Sequence, residues 1–170
     1  MINIKKFLII FLFFFLNIHA SSADQKIVYL NLDAIVQNSV PGKLILEQLD
    51  TRKNKDIENF KLREKRLRDK EIDIIKKKNI ISKEEFENQV SLLRNEMNIY
   101  NEEKEKIFLE FEKNKNKKLN VFLEKITPII ENFVKDNSIN IVLNEKNLFI
   151  ASKKFDITDE IIELVNKTIK

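Results

Sequence analysis

The sequence predicts an α+β fold that is mostly α: a long antiparallel helical hairpin, or coiled-coil arm, on a small β body. Residues 43–127 contain no glycine and no proline, and Lys, Glu, Asn, Leu and Ile dominate them. Strand-like runs, both prolines and the only glycine lie outside that segment. We therefore expect a β-rich body, residues 24–42 and 128–170, interrupted by a helical arm, residues 43–127.

The first 23 residues have the order of a secretory signal. Two lysines, Lys5 and Lys6, precede the apolar run FLIIFLFFFLNI, and small residues follow it. The run is shorter than the roughly 20 residues that a membrane-spanning helix needs. We predict export and cleavage after Ala23; cleavage after Ala20 and an uncleaved anchor are the alternatives.

Three apolar runs outside the arm predict β-strands. In the segment Lys26–Asp33, alternation places Val28, Leu30 and Leu32 on one face. The segment Ile139–Asn144 repeats the pattern, with Ile141 and Leu143 on one face. Asn147–Ala151 follows after only two residues, so we expect a hairpin there. The last run, DITDEIIELVNK, predicts a short terminal helix.

The arm is expected to turn near its middle. Lysines at 76–78 favour the C-terminal end of a helix, and Asn79 can adopt the left-handed conformation that ends one. Ser82, followed three residues later by Glu85, has the spacing of a capping box for a new helix. We therefore predict a tip near residues 79–82.

Each half of the arm is about 40 to 50 residues, or about 60 to 75 Å. The returning half has the four-three apolar spacing of a coiled-coil seam, which only Lys104 breaks. Its seam residues are Phe86, Val90, Leu93, Met97, Tyr100, Lys104, Ile107 and Phe111. A body this small, with no disulfide, is expected to need association with other copies for stability.

The composition excludes several classes of enzyme. Without its first 23 residues the chain has 29 basic and 27 acidic residues, no cysteine, and no histidine, because His19 lies in the signal. It cannot build a Ser-His-Asp triad, a thiolate nucleophile or the usual zinc site. With Gly42 as its only glycine, it has no phosphate-binding glycine loop. We expect no enzymatic activity and no cofactor, and export argues against nucleic acid as a partner.

The order of these segments resembles the Skp (OmpH-like) family of periplasmic chaperones. The specific parts are the first strand with its continuation, KIVYLNLDAIVQNSVPGK, and the later run INIVLNEKNLFIAS followed by DIT. The resemblance implies a periplasmic homotrimer, with strands in a central β-barrel and three arms around a cavity. It also implies an ATP-independent holdase that keeps unfolded outer-membrane β-barrel proteins soluble.

The resemblance carries over to few individual residues. Gly42 and Lys43 match the start of the arm. The residues that match the trimerising strands are Val28, Leu30, Leu32, Ile141, Leu143, Leu148 and Ile150. Client contacts in this family are spread over the arms and cannot be assigned one by one. The alternative function is a coiled-coil structural or tethering protein of the cell envelope.

The outgoing half of the arm is locally basic. The segment from Lys61 to Lys78 contains nine basic residues and four acidic residues. The basic residues are Lys61, Arg63, Lys65, Arg66, Arg68, Lys70, Lys76, Lys77 and Lys78. A solvated helix face is one interpretation; contact with acidic clients, or with anionic lipid or lipopolysaccharide as a secondary partner, is the other. The interleaved aromatic residues expected for binding to bases are missing.

Overall fold

A computed structural model describes residues 25–169, and it confirms the predicted fold class of long paired helices on a small body. In chain order the elements are β1 Ile27–Leu30, α1 Leu32–Asn38, α2 Val40–Lys77, α3 Lys83–Asp136, β2 Ile141–Asn144 and α4 Thr158–Thr168. Two short 3-10 turns, Glu145–Asn147 and Lys153–Phe155, lie between β2 and α4. The predicted signal, residues 1–23, lies outside the described residues. None of the helices described from residue 25 onward is both long and apolar enough to cross a membrane.

Helices α2 and α3 form the arm, and the chain turns between Lys77 and Lys83. The amides of Ile80 and Ile81 both donate to the Lys77 carbonyl, at 2.8 and 3.1 Å. Ser82 caps α3, since its hydroxyl accepts from the Glu85 amide at 3.1 Å. The prediction of a left-handed conformation at Asn79 is wrong. Among the described non-glycine residues only Ser138 has a positive φ, so Asn79 does not adopt that conformation. Repeated hydrogen bonding to one carbonyl closes the turn without it.

The core of the body forms where the end of α3 meets α1, α4 and strand β1. Its fully buried side chains include Ile35 of α1, Phe122 and Ile126 of α3, and Ile161 and Val165 of α4. The body holds more helix than the sequence analysis predicted, because both its chain segments are mainly helical and each contributes one four-residue strand.

Strand β2 pairs with β1 in parallel register, Ile27 opposite Ile141 and Leu30 opposite Asn144. The predicted hairpin with Asn147–Ala151 is therefore wrong. The two residues expected to make its turn are held elsewhere: Glu145 accepts a hydrogen bond from the Asn31 side chain, and Lys146 pairs with Asp33 at 2.6 Å. These contacts anchor the turn to the start of α1.

Candidate functional site

Polar contacts join the two arm helices in the half nearer the tip. Lys70 pairs with Glu96 at 2.6 Å, and Arg63 forms an ion pair with Glu103. These contacts show which residues of α2 and α3 lie opposite one another along the arm.

Next to them lies a polar cluster within the seam, which we call the Glu64 cluster: Glu64, Tyr100 and Lys104. The Tyr100 hydroxyl donates to Glu64 Oε1 at 2.6 Å, and Lys104 Nζ donates to the same oxygen at 2.8 Å. Tyr100 is only 5% exposed, and the Lys104 ammonium lies 5.6 Å from the centre of its ring. Lys104, the residue that breaks the apolar spacing of the seam, therefore completes a polar layer in it. In the sequence, the signal for this layer was the four-residue spacing of Tyr100 and Lys104, which places both on one face of α3.

The Glu64 cluster shifts the ionisation of its members. Hydrogen bonds from Lys104 and then from Tyr100 hold the pKa of Glu64 below its usual range. Burial raises the pKa of Tyr100, and its hydrogen bond to the Glu64 carboxylate raises it further. The hydrogen bond to Glu64 also raises the pKa of Lys104. At neutral pH the cluster therefore holds a carboxylate, a neutral phenol and an ammonium.

Acid is expected to remove the contribution of Glu64 to stability. Folded Glu64 binds a proton less readily than unfolded Glu64, so the contribution is complete above about pH 4.3, the ordinary glutamate pKa. It is lost as the pH falls through the lower folded pKa. Urea unfolding should show that Glu64→Gln lowers stability modestly at neutral pH and has little effect well below the folded pKa. An equal loss at both pH values would contradict this role.

Between the Glu64 cluster and the body, the arm helices leave an open groove of about 830 Å³, which we call the arm groove. It follows residues 46–60 of α2 and 101–115 of α3. Its apolar lining consists of Leu46, Leu49, Ile57, Phe60, Ile107, Phe108 and Phe111. Phe108 is 62% exposed although it is a large aromatic residue. Ile107 and Phe111 belong to the predicted seam and Phe108 does not, because a repeat of seam positions does not show which neighbouring residues line a groove.

The nine basic residues of the outgoing arm all lie on α2 or in the turn after it. Arg63, Lys70 and Lys77 form ion pairs with Glu103, Glu96 and Asp73. The other six make no ion pair within residues 25–169: Lys61, Lys65, Arg66, Arg68, Lys76 and Lys78. Part of the charge is therefore paired within the arm, and part is presented to solvent.

The residues predicted for trimerisation divide between two faces of the sheet. Val28 and Leu30 are buried in the core of the single chain, and Leu32 packs against that core. Val142 lies opposite Val28 and therefore points to the same face of the sheet. Ile141 and Leu143, the neighbours of Val142, point to the opposite face because side chains alternate along a strand. Val28, Leu30 and Leu32, which were assigned to the trimer interface, thus lie in or against the core of the single chain.

That opposite face, which we call the outer sheet face, is apolar and exposed apart from the buried Tyr29 and the half-buried Leu148. It comprises Ile27, Tyr29, Ile141, Leu143, Leu148, Ile150 and Phe155, and most of these line a depression of about 910 Å³. Ile141 is 43% exposed and Ile150 is 83% exposed. The neighbouring Phe149 is 98% exposed. Large apolar side chains grouped in this way mark interaction surfaces.

Within residues 25–169 there is no group of three or more His, Cys, Asp or Glu side chains that could hold a metal ion. The described residues present three surfaces: a basic helix, an apolar groove and an apolar sheet face.

Comparison with known proteins identifies the family. A family model described as outer membrane protein (OmpH-like) matches residues 26–165. No curated protein matches the chain. A solved OmpH-like protein from Caulobacter crescentus, provisionally assigned as an outer membrane chaperone, has a TM-score of 0.76 and 18% identity, with 86% of each chain covered. At this identity the likeness supports the fold alone. The family match, which runs from β1 into α4, shows that this chain belongs to the OmpH-like family.

Proposed function

We propose that this chain is an ATP-independent holdase of the periplasm, which keeps unfolded outer-membrane β-barrel proteins soluble between the arms of a homotrimer. The arm groove carries the proposal, because it offers apolar surface to solvent on helices that are otherwise highly charged. Unfolded barrel strands expose apolar side chains and unpaired edges, which aggregate in water. Membership of the OmpH-like family supports this class of client.

The proposal is tested by diluting a urea-unfolded outer-membrane β-barrel protein into buffer with and without the purified chain. Light scattering should fall in proportion to the added chain, without nucleotide. A coiled-coil spacer or tether would leave the scattering unchanged, and that result would reject the holdase function.

The outer sheet face is the surface that we propose for trimerisation. A single chain leaves large apolar side chains exposed there, and Ile141 lies on it next to Ile27. Association would bury this face, since apolar burial stabilises by about 25 cal/mol per Å².

Ile141→Asp is expected to abolish the trimer and leave the single chain folded. The charge is tolerable on a solvent-exposed face but costs several kcal/mol when buried without a partner. The matched control is Ile72→Asp on α2, because Ile72 is 44% exposed and Ile141 is 43% exposed. Sedimentation equilibrium should show monomer for the first variant and trimer for the second. A trimer in both would contradict the proposed interface.

The six unpaired basic residues are proposed to attract acidic clients to the arm. Lys61, Lys65 and Arg68 lie on one side of α2, and changing all three to glutamate should slow client capture severalfold and flatten its salt dependence. Lys106, Lys113 and Lys117 on α3 provide a control with the same change in total charge. Stopped-flow fluorescence with a labelled unfolded barrel at two salt concentrations measures both rates. Equal slowing in the two triple variants would show that only net charge matters.

The same basic residues would suit the phosphates of anionic lipid or lipopolysaccharide as a secondary partner. Co-sedimentation with anionic vesicles, compared between the two triple variants, tests that contact.

A further inference from the structure

The arm groove is bounded at both ends by polar contacts between the two helices. At the body end, Lys118 donates to Gln48 at 2.6 Å; at the other end lie the Glu64 cluster and the Arg63–Glu103 pair. Between these ends, no hydrogen bond or ion pair of the described chain crosses from one helix to the other. The groove is therefore an apolar stretch of the arm between two polar crossing points.

Some of the charges beside the groove are paired within their own helices. Arg52 pairs with Asp56 at 2.8 Å on α2, and Lys115 pairs with Glu112 at 2.9 Å on α3. The charged lining residues are four acids, Asp50, Asp56, Glu105 and Glu112, and three bases, Lys53, Lys104 and Lys115. This near balance gives a charged ligand of either sign little advantage, so the groove suits an uncharged apolar occupant.

The length of the groove suits a short extended segment. From residue 46 to residue 60, α2 rises by about 21 Å. An extended chain advances about 3.3 Å per residue, so about six residues fit, and about three of their side chains point to one side. Strands of outer-membrane barrels carry apolar side chains at alternate positions over about ten residues.

We propose that the arm groove binds one uncharged, extended client segment whose apolar side chains recur at every second residue. The inference rests on the proposed function for the identity of the client, and it assigns a specific site on each arm. Exposed Phe108 and Ile57 would contact the apolar side of the segment.

The probe is a capped, dye-labelled, uncharged peptide of ten residues that alternates Leu, Val or Phe with Ser or Gln. Its control is an isomer of the same composition with all apolar residues in one half. Fluorescence anisotropy should show tighter binding of the alternating peptide, with little change between low and high salt. Equal affinity for both peptides would overturn the proposed geometry.

Two adjacent residues of α3 provide matched variants, because Phe108 is 62% exposed and Leu109 is 60% exposed, and only Phe108 lines the groove. Phe108→Ser should weaken the alternating peptide about tenfold, since a buried Phe side chain contributes roughly this much to affinity. Leu109→Ser should have no effect. On α2, Ile57→Ser and Ile72→Ser form a second pair with the same expected contrast.

Two further outcomes, obtained with these variants, would overturn the inference. In the first, both members of each pair bind the peptide alike. In the second, Phe108→Ser abolishes the trimer, which would mean that another copy of the chain occupies the groove. The light-scattering assay distinguishes failure of the groove proposal from failure of the proposed holdase function. If the wild-type chain suppresses aggregation but the variants of each pair bind the peptide equally, only the groove proposal is rejected. If the wild-type chain does not suppress aggregation, the holdase function itself is rejected.

Discussion

Replacing Gly42 with alanine is expected to destabilise the body by about 2 kcal/mol. An added Cβ would lie 2.1 Å from the Val36 carbonyl oxygen and 2.8 Å from Ser39 Oγ. Overpacking costs about 1 to 3 kcal/mol, and a backbone carbonyl cannot rotate away, so the upper end applies. Alanine gains about 1 kcal/mol over glycine from helix propensity, which offsets only part of this.

The geometry around Gly42 explains why the contact is so close. Ser39 alone joins α1 to α2, and it is completely buried. Its hydroxyl accepts from the Gly42 amide at 3.2 Å, while its own amide donates to the Ile35 carbonyl at 3.0 Å. The first turn of α2 is thereby held against the last turn of α1.

Thermal unfolding at one fixed protein concentration measures the effect, since association makes the midpoint depend on concentration. The control is Lys43→Ala, which introduces alanine at the next position, where the side chain is exposed. It should leave the midpoint nearly unchanged. A Gly42→Ala variant as stable as this control would contradict the close packing of α1 against α2.

Phe122→Ala should produce the largest loss of stability, about 3 to 5 kcal/mol, because it leaves a cavity in the core. Phe122 is 2% exposed and packs where α3 enters the body, together with Ile126, Ile161 and Val165. Those neighbours belong to two helices that several contacts fix in place, so they cannot collapse fully into the space.

Phe108→Ala is the matched control, because it makes the same change on the same helix at an exposed position. It should change stability by no more than about 0.5 kcal/mol. Urea unfolding of both variants, with the midpoint and slope recorded, makes the comparison. Similar losses in both would mean that the body is not the main source of stability.

Most of the arm could be predicted from the sequence. The absence of glycine and proline from residues 43–127 predicted long helices, and the Ser82 cap predicted where the second begins. These signals act between residues within one or two turns of each other, so they are present in the sequence itself. Pairing across the arm was less accessible, because the role of Lys104 depends on Glu64, forty residues away.

The body shows the other limit. Alternation in Ile139–Asn144 correctly indicated a strand, but it could not show which face points to the core or which strand is the partner. The first strand buries Val28 and Leu30, whereas the second exposes Ile141 and Leu143. Each segment has apolar residues on both faces, so its alternation is compatible with either orientation.

The sequence by itself therefore determined that this protein is a charged helical hairpin on a small body, through helix caps, missing breakers and apolar periodicity. Only the tertiary structure decided the parallel pairing of β1 with β2, the apolar outer sheet face and the arm groove. The physical reason is the range of the interactions. Caps and propensities act over a few residues, whereas strand register and helix spacing depend on packing between distant segments. These segments are more than a hundred residues apart in the body and about 45 to 70 residues apart along the groove.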